Sequence, residues 1–145
     1  MAIGVTRRQL IFGGFASLLL GGCGQSETHW GWMIKNAKAR DAIRSNKILS
    51  DIMEGKRGPI FRFDIAPFNE DTEKAVNTVQ EGLKVLGYRV DADGYYGKKT
   101  ARALKDLQIK NSIPIDWANG RDGSKLGQRT LEALCRELGK NDPIL

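Results

Sequence analysis

The stretch Asp93-Gly94-Tyr95-Tyr96-Gly97-Lys98-Lys99-Thr100 separates two helical patterns and dictates a sharp reversal between them. An Asp side chain bonds its own backbone, and Gly enters positive φ without a Cβ clash, so Asp93-Gly94 reads as a turn. Gly97 suits a helix N-terminus, and Thr100 is placed to bond back to the unpaired N–H groups there. Before the turn, Val76, Val79, Leu83 and Leu86 recur at spacings of three and four and form one apolar stripe. Asp71 or Thr72 is the expected cap of that helix, and Gly87 its C-terminal glycine. After the turn, Thr100, Leu104 and Leu107 line a helix from about Lys98 to Asn111, with Pro114 beyond its end. Gly127-Gln128-Arg129-Thr130 repeats the G-x-x-T of Gly97 to Thr100 and opens a third helix. That helix carries Leu131, Leu134, Cys135 and Leu138 and stops at Gly139. Cys135 lies in the apolar stripe, where a free Cys behaves as a small buried hydrophobe.

In chain order, Val79-Gln80-x-x-Leu83-x-x-Leu86-Gly87-Tyr88, the D-G-x-x-G-x-x-T turn and Ala103-Leu104-x-x-Leu107-Gln108 resemble the small three-helix peptidoglycan-binding domain of many bacterial wall hydrolases. The resemblance covers roughly residues 72–138. It implies a mainly α fold with a three-helix domain over 71–139; the 29–70 segment, read from its own pattern as a helical and extended extension, and a tail over 140–145 lie outside the resemblance. One departure is the 116–125 loop, Asp116 to Lys125, which contains Asn119-Gly120 and Asp122-Gly123 and is longer than the family's usual short turn. A long loop of this kind is a candidate recognition feature.

The extension has helical character from Met33 to Glu54, with Ala42, Ile43, Leu49, Ile52 and Met53 as an imperfect apolar face. Its first half is basic through Lys35, Lys38, Arg40, Arg44 and Lys47. Such a helix either packs one face on the domain and solvates the other, or lies on anionic head groups. Gly55 to Pro59 ends it, and Phe61, Phe63 and Ile65 then alternate with Arg62 and Asp64, as in a short extended segment with one buried face. Isolated strands are unstable, so this segment is expected to pack on the helical domain. A domain of about 60 residues buries only about 60% of its unfolded surface, so help from the extension would matter.

The first 22 residues read as an export signal. Arg7-Arg8 precede an apolar run from Leu10 to Leu20, and Leu20-Gly21-Gly22-Cys23 follows. The run is too short and Gly-rich for an ordinary membrane span. Leu20 to Cys23 resembles the bacterial lipobox, which implies cleavage before Cys23 and acylation of it. Thr6-Arg7-Arg8-Gln9-Leu10-Ile11 resembles the twin-arginine export motif, with Leu10 where Phe is commoner. The other reading is an uncleaved N-terminal anchor. Residues 23–28 then form the lipidated Cys and a polar tether, and Gly24 rather than Asp after Cys23 favours the outer membrane by resemblance to enteric lipoproteins. His29-Trp30-Gly31-Trp32 follows, suited either to a membrane interface or to ordinary packing. Cleavage removes two of the 23 basic residues and none of the 17 acids, lowering the net charge from +6 to +4.

Little in the sequence points to catalysis. One His and two Cys leave too few ligands for a metal site of those types, and no cofactor is implied. A Cys peptidase or L,D-transpeptidase needs an accessible Cys with a His partner, but Cys135 reads as buried and His29 lies by the tether. Nucleic acid is a poor partner for an exported chain of modest charge without a known motif.

The resemblance therefore implies a non-catalytic binder with peptidoglycan as its partner and a membrane reached through a lipid anchor. A wall hydrolase or another envelope protein is a further partner in reach, and a scaffold whose domain is not used on the wall is the alternative function. Peptidoglycan offers amides, hydroxyls and carboxylates, which calls for hydrogen bonders, an aromatic face and positive charge. Tyr95, Tyr96, Lys98, Lys99 and Arg102 are the candidate ligand residues, with one tyrosine expected in the core. Asp93, Gly94, Gly97 and Thr100 have turn and cap roles, and Gln108 is placed to bond a loop from inside.

Overall fold

The structure is a computed structural model that describes residues 30–62, 69–115 and 124–140. Arg7, Arg8, Cys23, His29, Phe63, Ile65, Pro67, most of the 116–125 loop and residues 141–145 lie outside these. The chain divides into two units, 1–34 and 35–145. In the first, the described residues 30–34 are helical, and Trp30, Trp32 and Ile34 are exposed.

The second unit is mainly helical, in the order α1 (residues 35–45), α2 (Lys47–Met53), β1 (Ile60–Phe61), α3 (Glu70–Val85), α4 (Lys98–Lys110), β2 (Lys125–Leu126) and α5 (Gln128–Gly139). The expected stripes are buried, Val76, Val79 and Leu83 on α3, Leu104 and Leu107 on α4, and Leu131, Leu134 and Leu138 on α5, except for Leu86, which is half-buried at the C-cap of α3. Among the described residues no helix is long and apolar enough to cross a membrane.

The extension contributes directly to this core. Ala39, Ile43, Ile48, Leu49 and Ile52 join the same buried cluster as the three-helix stripes. Gly82, buried in mid-α3, makes room for this packing. A Cβ there would lie 3.1 Å from Ile43 Cδ1 and 3.5 Å from Leu138 Cδ1. The helical run of the extension is broken at Asn46, whose extended backbone and side chain cap α2 by accepting the Leu49 N–H at 3.2 Å. Asn competes with helical bonding in this way, and the break turns Ile48, Leu49 and Ile52 inward.

Two sequence expectations need correction here. The cap of α3 is Asn69, not Asp71 or Thr72; its side chain accepts the Thr72 N–H at 2.8 Å. In β1 the buried residue is Ile60, while Phe61, expected to face inward, is half-buried like Arg62; the rest of the expected alternation, Phe63 and Ile65, lies outside the described residues. The cause is pairing: β1 is antiparallel to β2, with Ile60 opposite buried Leu126 and Phe61 opposite Lys125.

Three of the helices, α2, α3 and α4, end by a shared device. At Gly87, φ +90°, the Tyr88 N–H reaches Leu83 O at 3.0 Å and the Gly87 N–H reaches Lys84 O at 2.9 Å, the paired bonds of a Schellman stop. Gly55, φ +72°, closes α2 in the same way, and Ser112, φ 53°, closes α4.

Candidate functional site

Two turns, each held by a buried glutamine, position the surface that the sequence singles out. Gln80 stands on α3 and is fully buried. Its Oε1 accepts the N–H groups of Asp93 at 3.1 Å and Gly94 at 2.8 Å. Its Nε2 donates to Asp93 Oδ1 at 3.0 Å, Tyr95 O at 2.9 Å and Thr100 Oγ1 at 2.9 Å. Asp93 Oδ1 also accepts the Tyr95 N–H at 2.9 Å, the expected turn bond. Gly94 has φ +75°, and a Cβ there would sit 3.0 Å from Glu73 O, so the turn lies directly on the first turn of α3.

The second turn repeats the first. Gln108 Nε2 donates to Lys125 O at 3.0 Å and Thr130 Oγ1 at 3.0 Å, and Thr130 Oγ1 donates to Lys125 O at 3.2 Å. Lys125 therefore occupies the place of Tyr95, and Leu126 that of Tyr96, both of the latter being buried. The copy is incomplete. Gln108 Oε1 has no hydrogen-bond partner among the described residues, whereas its Gln80 counterpart holds two backbone N–H groups.

Both threonines differ from expectation in one respect. Gly97 and Gly127 begin α4 and α5 with no side-chain cap bond. Thr100 does not bond back to the helix start. Its hydroxyl faces inward and ties Gln80 to Tyr95 O, because a buried amide leaves it a better partner than solvated N–H groups do.

The candidate ligand residues separate. Tyr96 is wholly buried and leaves the ligand set; it is the core tyrosine. Tyr95 is 44% exposed, and its ring lies across Gly97, where a Cβ would come within 2.7 Å of Tyr95 Cε1. Lys98 and Arg102 are exposed. Lys99 is exposed but bonded to Asp91 at 2.7 Å, which raises the lysine pKa and lowers that of the carboxyl. Tyr95, Lys98 and Lys99 line a hollow of about 360 Å³ with Arg62, Asp91 and Asp93, so acids and bases alternate around it. Arg102 lines a neighbouring hollow with Tyr88, Arg89 and Asp106.

The sequence profile of one family, described as a peptidoglycan binding domain, matches residues 72–134. Residues 72–134 belong to this family. The peptidoglycan-binding domain thus contains both glutamine-held turns, while α1, α2 and β1 lie outside it and complete its core. No curated protein and no solved structure matches the chain significantly.

Sequence reasoning missed the role of Gln80. Its signal was a long polar side chain inside the Val76–Leu83 stripe, matched by Gln108 in the next helix. It also missed Glu137, a buried carboxylate on α5. Burial pushes its pKa up, but bonds from Lys110 at 2.8 Å and from Lys140 outweigh this and hold it below the ordinary value. Cys135 is free and buried, and burial raises its thiol pKa. Among the described residues no group of three or more His, Cys, Asp or Glu is arranged to hold a metal ion.

Proposed function

We propose that this chain is a non-catalytic, lipid-anchored peptidoglycan-binding protein of the bacterial envelope. It tethers a membrane to the wall or positions a wall enzyme there. The observation that carries this reading is the family match of residues 72–134, whose two turns are each held by a buried glutamine behind an exposed face. Tyr95, Lys98 and Arg102 are the exposed residues offered to the polymer on that face. The anchor rests on Leu20-Gly21-Gly22-Cys23 and the preceding Arg7-Arg8 run, and Gly24 favours the periplasmic face of the outer membrane. Binding rather than hydrolysis rests on the single His and on the family's character as a binding domain. Ala39, Ile43, Ile48, Leu49, Ile52 and Ile60 of the extension are used in the core, which takes support from the scaffold reading, while Trp30, Trp32 and Ile34 stay exposed.

Three measurements test this reading. Tyr95→Ala combined with Lys98→Ala and Arg102→Ala weakens co-sedimentation with purified wall sacculi while melting is unchanged; full binding by the folded triple variant removes this face. Incubation with sacculi releases no soluble fragments, and steady release contradicts a binder. Cys23→Ala frees the protein from the membrane fraction, and retention of that variant contradicts the lipid anchor.

A further inference from the structure

A second hollow, larger than the one at the first turn, lies at the second turn. It measures about 600 Å³, within the range of about 300–1,000 Å³ typical of small-ligand sites. Its apolar lining includes buried Ile52 from α2, half-buried Ile113 and exposed Pro114 beyond α4. Arg57, Lys125 and Arg129 line it as well, and among the described residues no Asp or Glu does. Arg57 and Arg129 are exposed and form no ion pair among the described residues. The hollow at the first turn differs in kind, because Asp91 and Asp93 face its bases and Lys99 is already bonded to Asp91.

We propose that this second groove binds an extended peptide bearing carboxylates, which in the wall is the stem peptide. The proposal rests on the wall-binding reading and gives it a second subsite. The guanidinium forks of Arg57 and Arg129 suit carboxylates in bidentate geometry, and the apolar lining suits the small side chains between them. The walls are already ordered. The Ile113 N–H is tied to Gln108 O at 2.9 Å, and the Lys125 carbonyl to Gln108 Nε2 at 3.0 Å, so one glutamine braces two sides. Preorganisation of this kind reduces the ordering cost of binding.

The test uses the full chain in detergent micelles, purified sacculi, and the free stem tetrapeptide released from them. The control pair Lys35→Ala with Lys38→Ala removes the same charge from exposed positions on α1. Arg57→Ala with Arg129→Ala is expected to weaken sacculus binding about tenfold and to abolish tetrapeptide titration, with melting unchanged. The control pair stays within about twofold. Arg129→Gln alone gives a smaller loss in the same direction and serves if the double variant fails to fold.

Equal weakening by both pairs means charge attraction alone and overturns the proposal. So does unchanged binding by the folded groove variant, or equally tight binding of a scrambled acidic peptide, which would assign the groove to protein segments. In each case wild-type sedimentation still supports wall binding. Failure of the wild type to sediment removes that reading and this one together.

Discussion

Gln80 and Thr100 stand 20 residues apart in sequence and meet in the interior through a 2.9 Å hydrogen bond. Gln108 and Thr130 repeat the contact across 22 residues at 3.0 Å. Each pair fixes a turn from beneath, so the exposed face of that turn is set by a buried amide.

The two amides are unequal, and this predicts unequal costs. Gln80→Ala strips the partner from the Asp93 and Gly94 N–H groups, each costing about 1–3 kcal/mol if left unsatisfied in the interior. Among the described residues, Gln108→Ala loses only the bonds of its Nε2. Urea unfolding should show the larger loss for Gln80→Ala. A larger loss for Gln108→Ala would contradict the assignment.

Gly94 is the position least able to accept a side chain. Its φ of +75° and the 3.0 Å approach of Glu73 O leave no room for a Cβ. Gly94→Ala should destabilise by about 1–3 kcal/mol through strain. Gly87→Ala has the same backbone strain but nothing within 4 Å, and should cost less. Equilibrium unfolding of the two variants decides the order.

What the sequence showed, and what it concealed, follows from range. The stripes of α3, α4 and α5 and the turns at Gly87 and Gly94 depend on neighbours within one or two helical turns, so period and residue type reveal them. Gln80 finds its partners 13 to 20 residues away, and only the folded chain shows that its polarity is used inside. Tyr95 and Tyr96 were indistinguishable in composition, and turn geometry sends one outward and the other into the core. Asn46 divides what looked like one helix, because capping Leu49 wins over continuing an imperfect stripe. Gly82 gave no sign that its missing Cβ is what admits Ile43.

The extension should be inseparable from the domain in stability. Leu49→Ala, at a fully buried site outside the matched segment, should cost about 2–5 kcal/mol. Deleting residues 24–68 should lower the melting temperature. An unchanged melt would make the extension a spacer.

Acid should weaken the fold through Glu137. Its pKa is lower in the folded chain than the ordinary value of 4.5, so the unfolded chain takes up the proton first. The contribution is therefore full above pH 4.5 and is lost as pH falls through the lower folded value. Glu137→Gln should flatten the fall in denaturant midpoint below pH 4.5. An unaltered slope would mean that other carboxylates carry it.

The most direct measurement is co-sedimentation of the unlipidated protein with purified sacculi across a salt titration. The account predicts sedimentation that survives moderate salt, because hydrogen bonds and aromatic contact at Tyr95 are screened far less than charge attraction. No sedimentation, or loss at modest salt, would contradict specific wall recognition.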